Sequence, residues 1–249
     1  MKKLLRSFLA SLTLIVFNTA VVLAQAEEAD AAAEEAVQGH QLLMKWFVDG
    51  GPVFMSIVLI CLILGLAFAI ERIIVLTLAS TNTKKLLSEV ESNLEAKNIE
   101  GAKEICKSSK SPIADIIYQG LERSKEGMEV VEKSVVAYGS VQMGILEKGL
   151  IWISLFIALA PMLGFMGTVI GMVNAFDAIE SAGDINPRIV ASGIKVALLT
   201  TLFGLIVAVI LQIFYNYIVS RIDGIVNDME DASISFVDML VKHGIVSHN

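Results

Sequence analysis

Two apolar stretches, 150–176 and 189–218, constrain this chain most, because each is long enough to cross a bilayer and each carries a stripe of small and hydroxyl residues. A third apolar stretch, 52–78, would span about 40 Å as a helix against a hydrocarbon core of roughly 30 Å, so its far end projects into water. With 55% hydrophobic residues among 249, the composition departs from that of a soluble domain. The fold class predicted is therefore an all-α integral membrane protein: three long transmembrane helices extended into a cytoplasmic helical stalk, preceded by a signal peptide.

The stripes set the last two spans apart from plain lipid-facing helices. Gly164, Thr168 and Gly171 fall at i, i+4 and i+7 on one face, with Gly167 beside them, and Ala197, Thr201, Gly204 and Ala208 repeat the pattern in the next span. Small residues let helix backbones approach closely, and a buried threonine hydroxyl can return to a carbonyl of its own helix or serve a partner. Helix packing alone accounts for such a face, and so does a pathway through it. Lys195 is the one charged residue in these two spans, near an end of its span, and reads either as a snorkelling lysine or as a contact with a partner carboxylate.

Charge and punctuation organise the rest. Lys2, Lys3 and Arg6 before an apolar run, with Ala24-Gln25-Ala26 as a small-residue cleavage site, predict a signal peptide at 1–26, the alternative being an uncleaved anchor, since the run is slightly long for a signal and only slightly short for a span. An acidic periplasmic lead-in with an interfacial segment follows at 27–51, ending in the belt residues Trp46 and Phe47. The predicted order then runs: transmembrane helix 1 at 52–78, a cytoplasmic helical region at 79–149, transmembrane helix 2 at 150–176, a periplasmic turn at 177–188, transmembrane helix 3 at 189–218, and a cytoplasmic C-terminal helix at 219–249. Lysines and arginines crowd into 84–148 while the short turn is acidic, which places the long section on the cytoplasmic side. That orientation agrees with an exported amino terminus.

Within 79–149 the stripes Leu86, Val90, Leu94, then Ile99, Ala102, Ile105, Cys106, then Ile113, Ile116, Ile117, Leu121 after Ser111-Pro112 predict short amphipathic helices. A further helix is predicted from Gly127 through Val131, Val135 and Leu146 straight into the second span. Asn186 with Pro187 reads as the cap and first turn of the third.

Several function classes are excluded by what the pattern omits. The net charge of −7 argues against nucleic acid. There is no phosphate loop, zinc spacing or catalytic carboxylate pair, His40, His243 and His248 stand apart in polar segments, and the two cysteines, Cys61 and Cys106, stand apart too. The expectation is no enzyme, no catalytic residue, no cofactor, no metal and no disulfide. A proton carrier needs a titratable group at depth, which these spans lack. Either the chain moves no protons, or another subunit brings the carboxylate.

The strings 160–172 (Ala160-Pro161-Met162-Leu163-Gly164 through Met172) and 193–205 (Gly193-Ile194-Lys195 through Leu205), with Tyr215-Asn216, resemble the ExbB/TolQ/MotA proton-channel family, nearest its ExbB branch. The resemblance covers the chain from about Pro52 onward and is most specific in the last two spans. It implies a bacterial inner-membrane homo-oligomer, typically a pentamer among membrane lipids, enclosing a single-span ExbD-like partner whose aspartate carries the proton. Energy would pass to a TonB-like protein to drive transport across the outer membrane. It also implies that Thr168 and Thr201 line the ion pathway, with Thr200, Gly164 and Gly171 as lesser candidates and Lys195 as a partner or periplasmic access contact. Many family members carry glutamate where this chain has Val196. Alternative expectations are a TolQ-like or gliding-type stator for envelope integrity or motility, or a non-conducting membrane scaffold.

Overall fold

A computed structural model describes residues 41–246 apart from Leu43, Thr81 and 184–186. The expected signal peptide, most of the acidic lead-in, His40, His248 and the cap Asn186 lie outside the described residues. Among those described there is helix but no strand: α1 (Pro52–Ala79), α2 (Thr83–Glu95), α3 (Ile99–Ser108), α4 (Pro112–Glu122), a single 3-10 turn (Ser124–Glu126), α5 (Met128–Glu147), α6 (Leu150–Ala182) and α7 (Pro187–Lys242). The three stretches that contain α1, α6 and α7 are long and apolar enough to cross a membrane. The last of them, α7, runs unbroken for 56 residues.

The chain divides into two compact units, one built from residues up to Met55 with Thr168–Thr200, the other from Ser56–Gly167 with Thr201 onward. In the second unit the short helices begin where local chemistry dictates. Asn82 Oδ1 accepts from Lys85 N–H, Asn98 Oδ1 from Gly101 N–H and Ser111 Oγ from Ile113 N–H, each satisfying a donor that a helix start leaves unpaired. Pro112 follows its cap at the first helical turn, where its missing N–H is harmless.

The stripe Leu86, Val90 and Leu94 is buried, as are Ala102 and Cys106, the apolar face of α4, and Met229, Ala232, Phe236 and Leu240 on the far end of α7. These residues form one continuous core with Val131 and Val135 of α5. Phe236 is its largest fully buried side chain. A Cβ at Gly120 would run into the Phe236 ring, so α4 carries glycine where that ring seats.

In one place the structure departs from the helix that spacing predicts. The helix from Gly127 does not run straight into the second span: α5 stops at Glu147 and α6 starts at Leu150. Gly149 adopts φ +92°, which an L side chain adopts only under strain, and a Cβ there would stand 3.1 Å from Arg72 Nε. Arg72 is buried against this turn and forks its guanidinium onto the Glu71 carboxylate at 2.9 and 3.0 Å. Nearby, Phe68 of α1 lies near Trp152 and Phe156 of α6, with ring centroids 6.2 and 6.3 Å apart.

Candidate functional site

The stripes of small residues bring α6 and α7 into backbone contact. In the second unit, a Cβ at Gly204 would lie 2.6 Å from the Ala160 carbonyl oxygen and 3.1 Å from Gly164 Cα. In the first unit, a Cβ at Gly171 would lie 3.2 Å from Ala197 N, and one at Gly193 would collide with Ala175 Cβ. Gly164, Gly167, Gly171, Ala197 and Gly204 are buried, and Ala208 is half-buried. Helices packed this closely leave no room for a methyl group at Gly204 or Gly193 and little at Gly171.

The hydroxyls fall on or beside these contacts. Thr201, half-buried, donates its hydroxyl to the Gly164 carbonyl across the helix pair at 3.2 Å. Thr200, 1% exposed, turns inward and donates to the Ala197 carbonyl of its own helix at 2.8 Å. Thr168 is half-buried on α6, one turn before Gly171 reaches its close approach. Large apolar side chains flank the stripes and stay exposed on the single chain, Phe165 and Leu198 among them. Pro161, inside α6, has no N–H, so the Ile157 carbonyl, about two turns before Gly164, lacks its helical donor.

Lys195 has a partner that sequence spacing does not indicate. Its Nζ lies 2.6 Å from Asp49 Oδ2, in an ion pair that is half-exposed on both sides. Asp49 closes a helical stretch at 44–49, just before the Gly50-Gly51 turn, where Gly50 N–H donates to the Trp46 carbonyl and Gly51 takes φ +86°. The only hint in the sequence is an acidic residue beside a glycine pair, 146 positions away from the lysine it meets. Val196, the apolar residue beside Lys195, is half-buried toward that same turn.

Other titratable groups lie outside the spans. Burial, and then the Asp115 carboxylate, push the Cys106 thiol up to about 12, so it is neutral and unreactive at neutral pH. Burial raises the Asp115 carboxyl above its ordinary value although Gln142 Nε2 donates to it at 3.1 Å. His243 does not stand apart as its sequence neighbourhood predicts: the length of α7 carries it to α2, where its Nε2 is buried 3.7 Å from Glu91.

Residues 108–231 match the MotA/TolQ/ExbB proton channel family. The chain is 33% identical over 190 residues to a protein of Methanothermobacter thermautotrophicus described as a biopolymer transport protein ExbB homolog, an alignment covering 76% of this chain and 67% of that one. The chain belongs to the MotA/TolQ/ExbB family. It is also 36% identical over 77 residues to the biopolymer transport protein ExbB of Aquifex aeolicus, covering 31% of this chain and 52% of that protein. With the Tol-Pal system protein TolQ of Haemophilus influenzae it shares 30% identity over 95 residues, covering 38% of this chain and 42% of that protein. For these last two relatives the chain therefore spans about half or less of their length. Thr168, Thr200, Thr201 and the contacts around them lie inside the matched residues. Membership and three bilayer-length apolar helices together make this ExbB/TolQ-type chain a multi-pass membrane protein.

Proposed function

We infer that this chain is an ExbB-like stator subunit of an inner-membrane motor, in which proton-motive force does mechanical work on a partner that energises TonB-dependent transport across the outer membrane. The observation that carries the reading is the Thr201 hydroxyl, held on the Gly164 carbonyl in spans without a carboxylate. Because its hydrogen is committed there, the oxygen offers lone pairs only, which can accept from water or from a neutral carboxylic acid. A pathway lined by Thr168 and Thr201, with Thr200 as a lesser candidate, then favours the protonated form of an acidic side chain brought by an ExbD-like single-span subunit. One unit charge crossing 100 mV releases about 2.3 kcal/mol, enough to bias a rotary or rocking step when the carboxyl must be neutralised to pass an apolar wall. In this reading the wall is a homo-oligomeric ring, typically a pentamer, with the amino terminus periplasmic and the carboxyl terminus cytoplasmic. No catalytic residue, cofactor or metal enters the conduction step, and nucleic acid has no place in it.

The test is ion flux into vesicles holding the chain with its single-span partner under an imposed potential. Thr168→Val and Thr201→Val are expected to reduce flux at least tenfold, and Lys195→Ala to alter it less, since Lys195 is paired to Asp49 on its own chain. Threonine variants that conduct like the wild type would overturn the reading. The TolQ relative supports a second reading, a stator for envelope integrity or motility, which a neighbouring gene for a peptidoglycan-binding protein would favour over one for a TonB homologue. The tight glycine contacts support a third, a scaffold whose stripes only pack helices, for which no flux is expected with any partner.

A further inference from the structure

Away from the spans, the second unit carries a cluster of metal-ligating side chains that the stator reading does not use. Glu91 and Glu95 lie one turn apart on α2 and so share a face. Facing them is the closing turn of α7, where His243 N–H donates to the Met239 carbonyl, Ile245 N–H to the Leu240 carbonyl, and Gly244 takes φ +60°. Val246 just beyond is buried, so the backbone that carries His243 is fixed by hydrogen bonds and packing. One ligand atom from each of Glu91, Glu95 and His243 lies within 4.8 Å of the other two.

The imidazole supplies the independent sign. His243 Nε2 is buried with no hydrogen-bond partner, its side chain only 13% exposed, and the Glu91 carboxylate stands 3.7 Å away, too far for a hydrogen bond. A buried polar nitrogen left without a partner is unfavourable unless something else coordinates it. An imidazole and two carboxylates match the ligand preferences of zinc-class ions, with metal–donor distances of about 2.0–2.2 Å and hence donors about 3.3 Å apart. Two flexible glutamate side chains reach that spacing by small torsional changes. Lys242 competes for the position, its Nζ 2.8 Å from Glu91 Oε1, but its side chain is 63% exposed and free to swing into water.

We propose that Glu91, Glu95 and His243 bind a divalent transition-metal ion of the zinc class, which clasps the end of α7 to α2. One coordination position of a tetrahedral site would remain for water, and Lys242 would act as a built-in competitor that sets the affinity. The clasp stands apart from the ion pathway and does not depend on it.

The experiment is a titration of the full-length, tag-free chain in detergent, with Co2+ followed by its visible absorption and Zn2+ by calorimetry. One equivalent per chain is expected. His243→Ala and Glu95→Gln should each weaken binding at least about tenfold, while Lys242→Met should strengthen it severalfold and His248→Ala should leave it unchanged. Glu95 is exposed, so Glu95→Gln tests the clasp without disturbing the fold. Absence of a saturable Co2+ spectrum, binding indifferent to His243→Ala, a loss on His248→Ala, or weakening by Lys242→Met would each overturn the proposal.

Discussion

The core that the short helices share with the far end of α7, and the stripes of α6 and α7, hold helices together by opposite means. Around Phe236, Leu94, Ile116 and Ile117, large side chains fill the space between helices, each buried to 1% exposure or less. At Gly204 and Gly171 there is nothing to fill, because backbone meets backbone. The difference follows from the solvent. Outside the bilayer, burying apolar area drives association at roughly 25 cal/mol per Å². Inside it, lipid is as apolar as leucine, so close approach and interhelical hydrogen bonds must do the joining. One region should therefore suffer most from removing atoms, the other from adding them.

Phe236→Ala tests the first half and carries the largest expected loss, about 3–5 kcal/mol, read from thermal unfolding in detergent. Gly120→Ala sharpens it: the new methyl meets the Phe236 ring in the wild type and only Val135 Cγ2, at 3.1 Å, in the Phe236→Ala background, so the paired variants should show strong coupling. A Gly120→Ala cost that is equal in both backgrounds would break the account of that contact.

Gly204→Val tests the second half, with an expected loss of about 1–3 kcal/mol from overpacking against the Ala160 carbonyl. Were Gly204→Val tolerated while Gly224→Val, whose Cβ meets nothing within 4 Å, was not, the comparison would be reversed. Thr201→Val should cost about 1 kcal/mol of stability through the lost interhelical hydrogen bond, and Thr201→Ser much less. The exposed Lys195–Asp49 pair is expected to contribute under about 1 kcal/mol, a loss that Asp49→Asn would show at low salt and hide at high salt.

Asp115 carries the smallest effect and a definite sign. Burial raises its carboxyl in the folded chain, so the folded state holds that proton more tightly than the unfolded one. Its contribution to stability is greatest at acid pH and diminishes as pH rises through the ordinary aspartate range and the raised value above it. Asp115→Asn keeps an acceptor for Gln142 and should flatten that slope, with a slightly higher melting midpoint than the wild type at neutral pH. A midpoint that instead fell with Asp115→Asn would mean the charged form is the one the fold favours.

Much of the helical layout was legible because it depends on residues close in sequence. Leu86, Val90 and Leu94 recur at the helical period and are all buried, and Ser111-Pro112 starts a helix where a hydroxyl cap and a proline belong. The break at Gly149 was not legible, since the apolar pattern continues across it. Only the Arg72 guanidinium, packed 3.1 Å from where a Cβ would be, gives that glycine its purpose. The stripes pointed to Thr168, Thr200 and Thr201 alike, yet nothing in their spacing separates a hydroxyl that turns back on its own helix from one that crosses to the next.

The sequence by itself determined that three helices are long and apolar enough for a bilayer and which helix faces are apolar, small or charged, because those properties follow from the order of neighbouring residues and the helical period. Tertiary structure decided which carbonyl Thr201 reaches 37 positions away, that Lys195 meets Asp49, and that Lys242 and His243 arrive at Glu91 from 151 positions or more. These are pairings between remote segments, and their geometry exists only once the helices have packed.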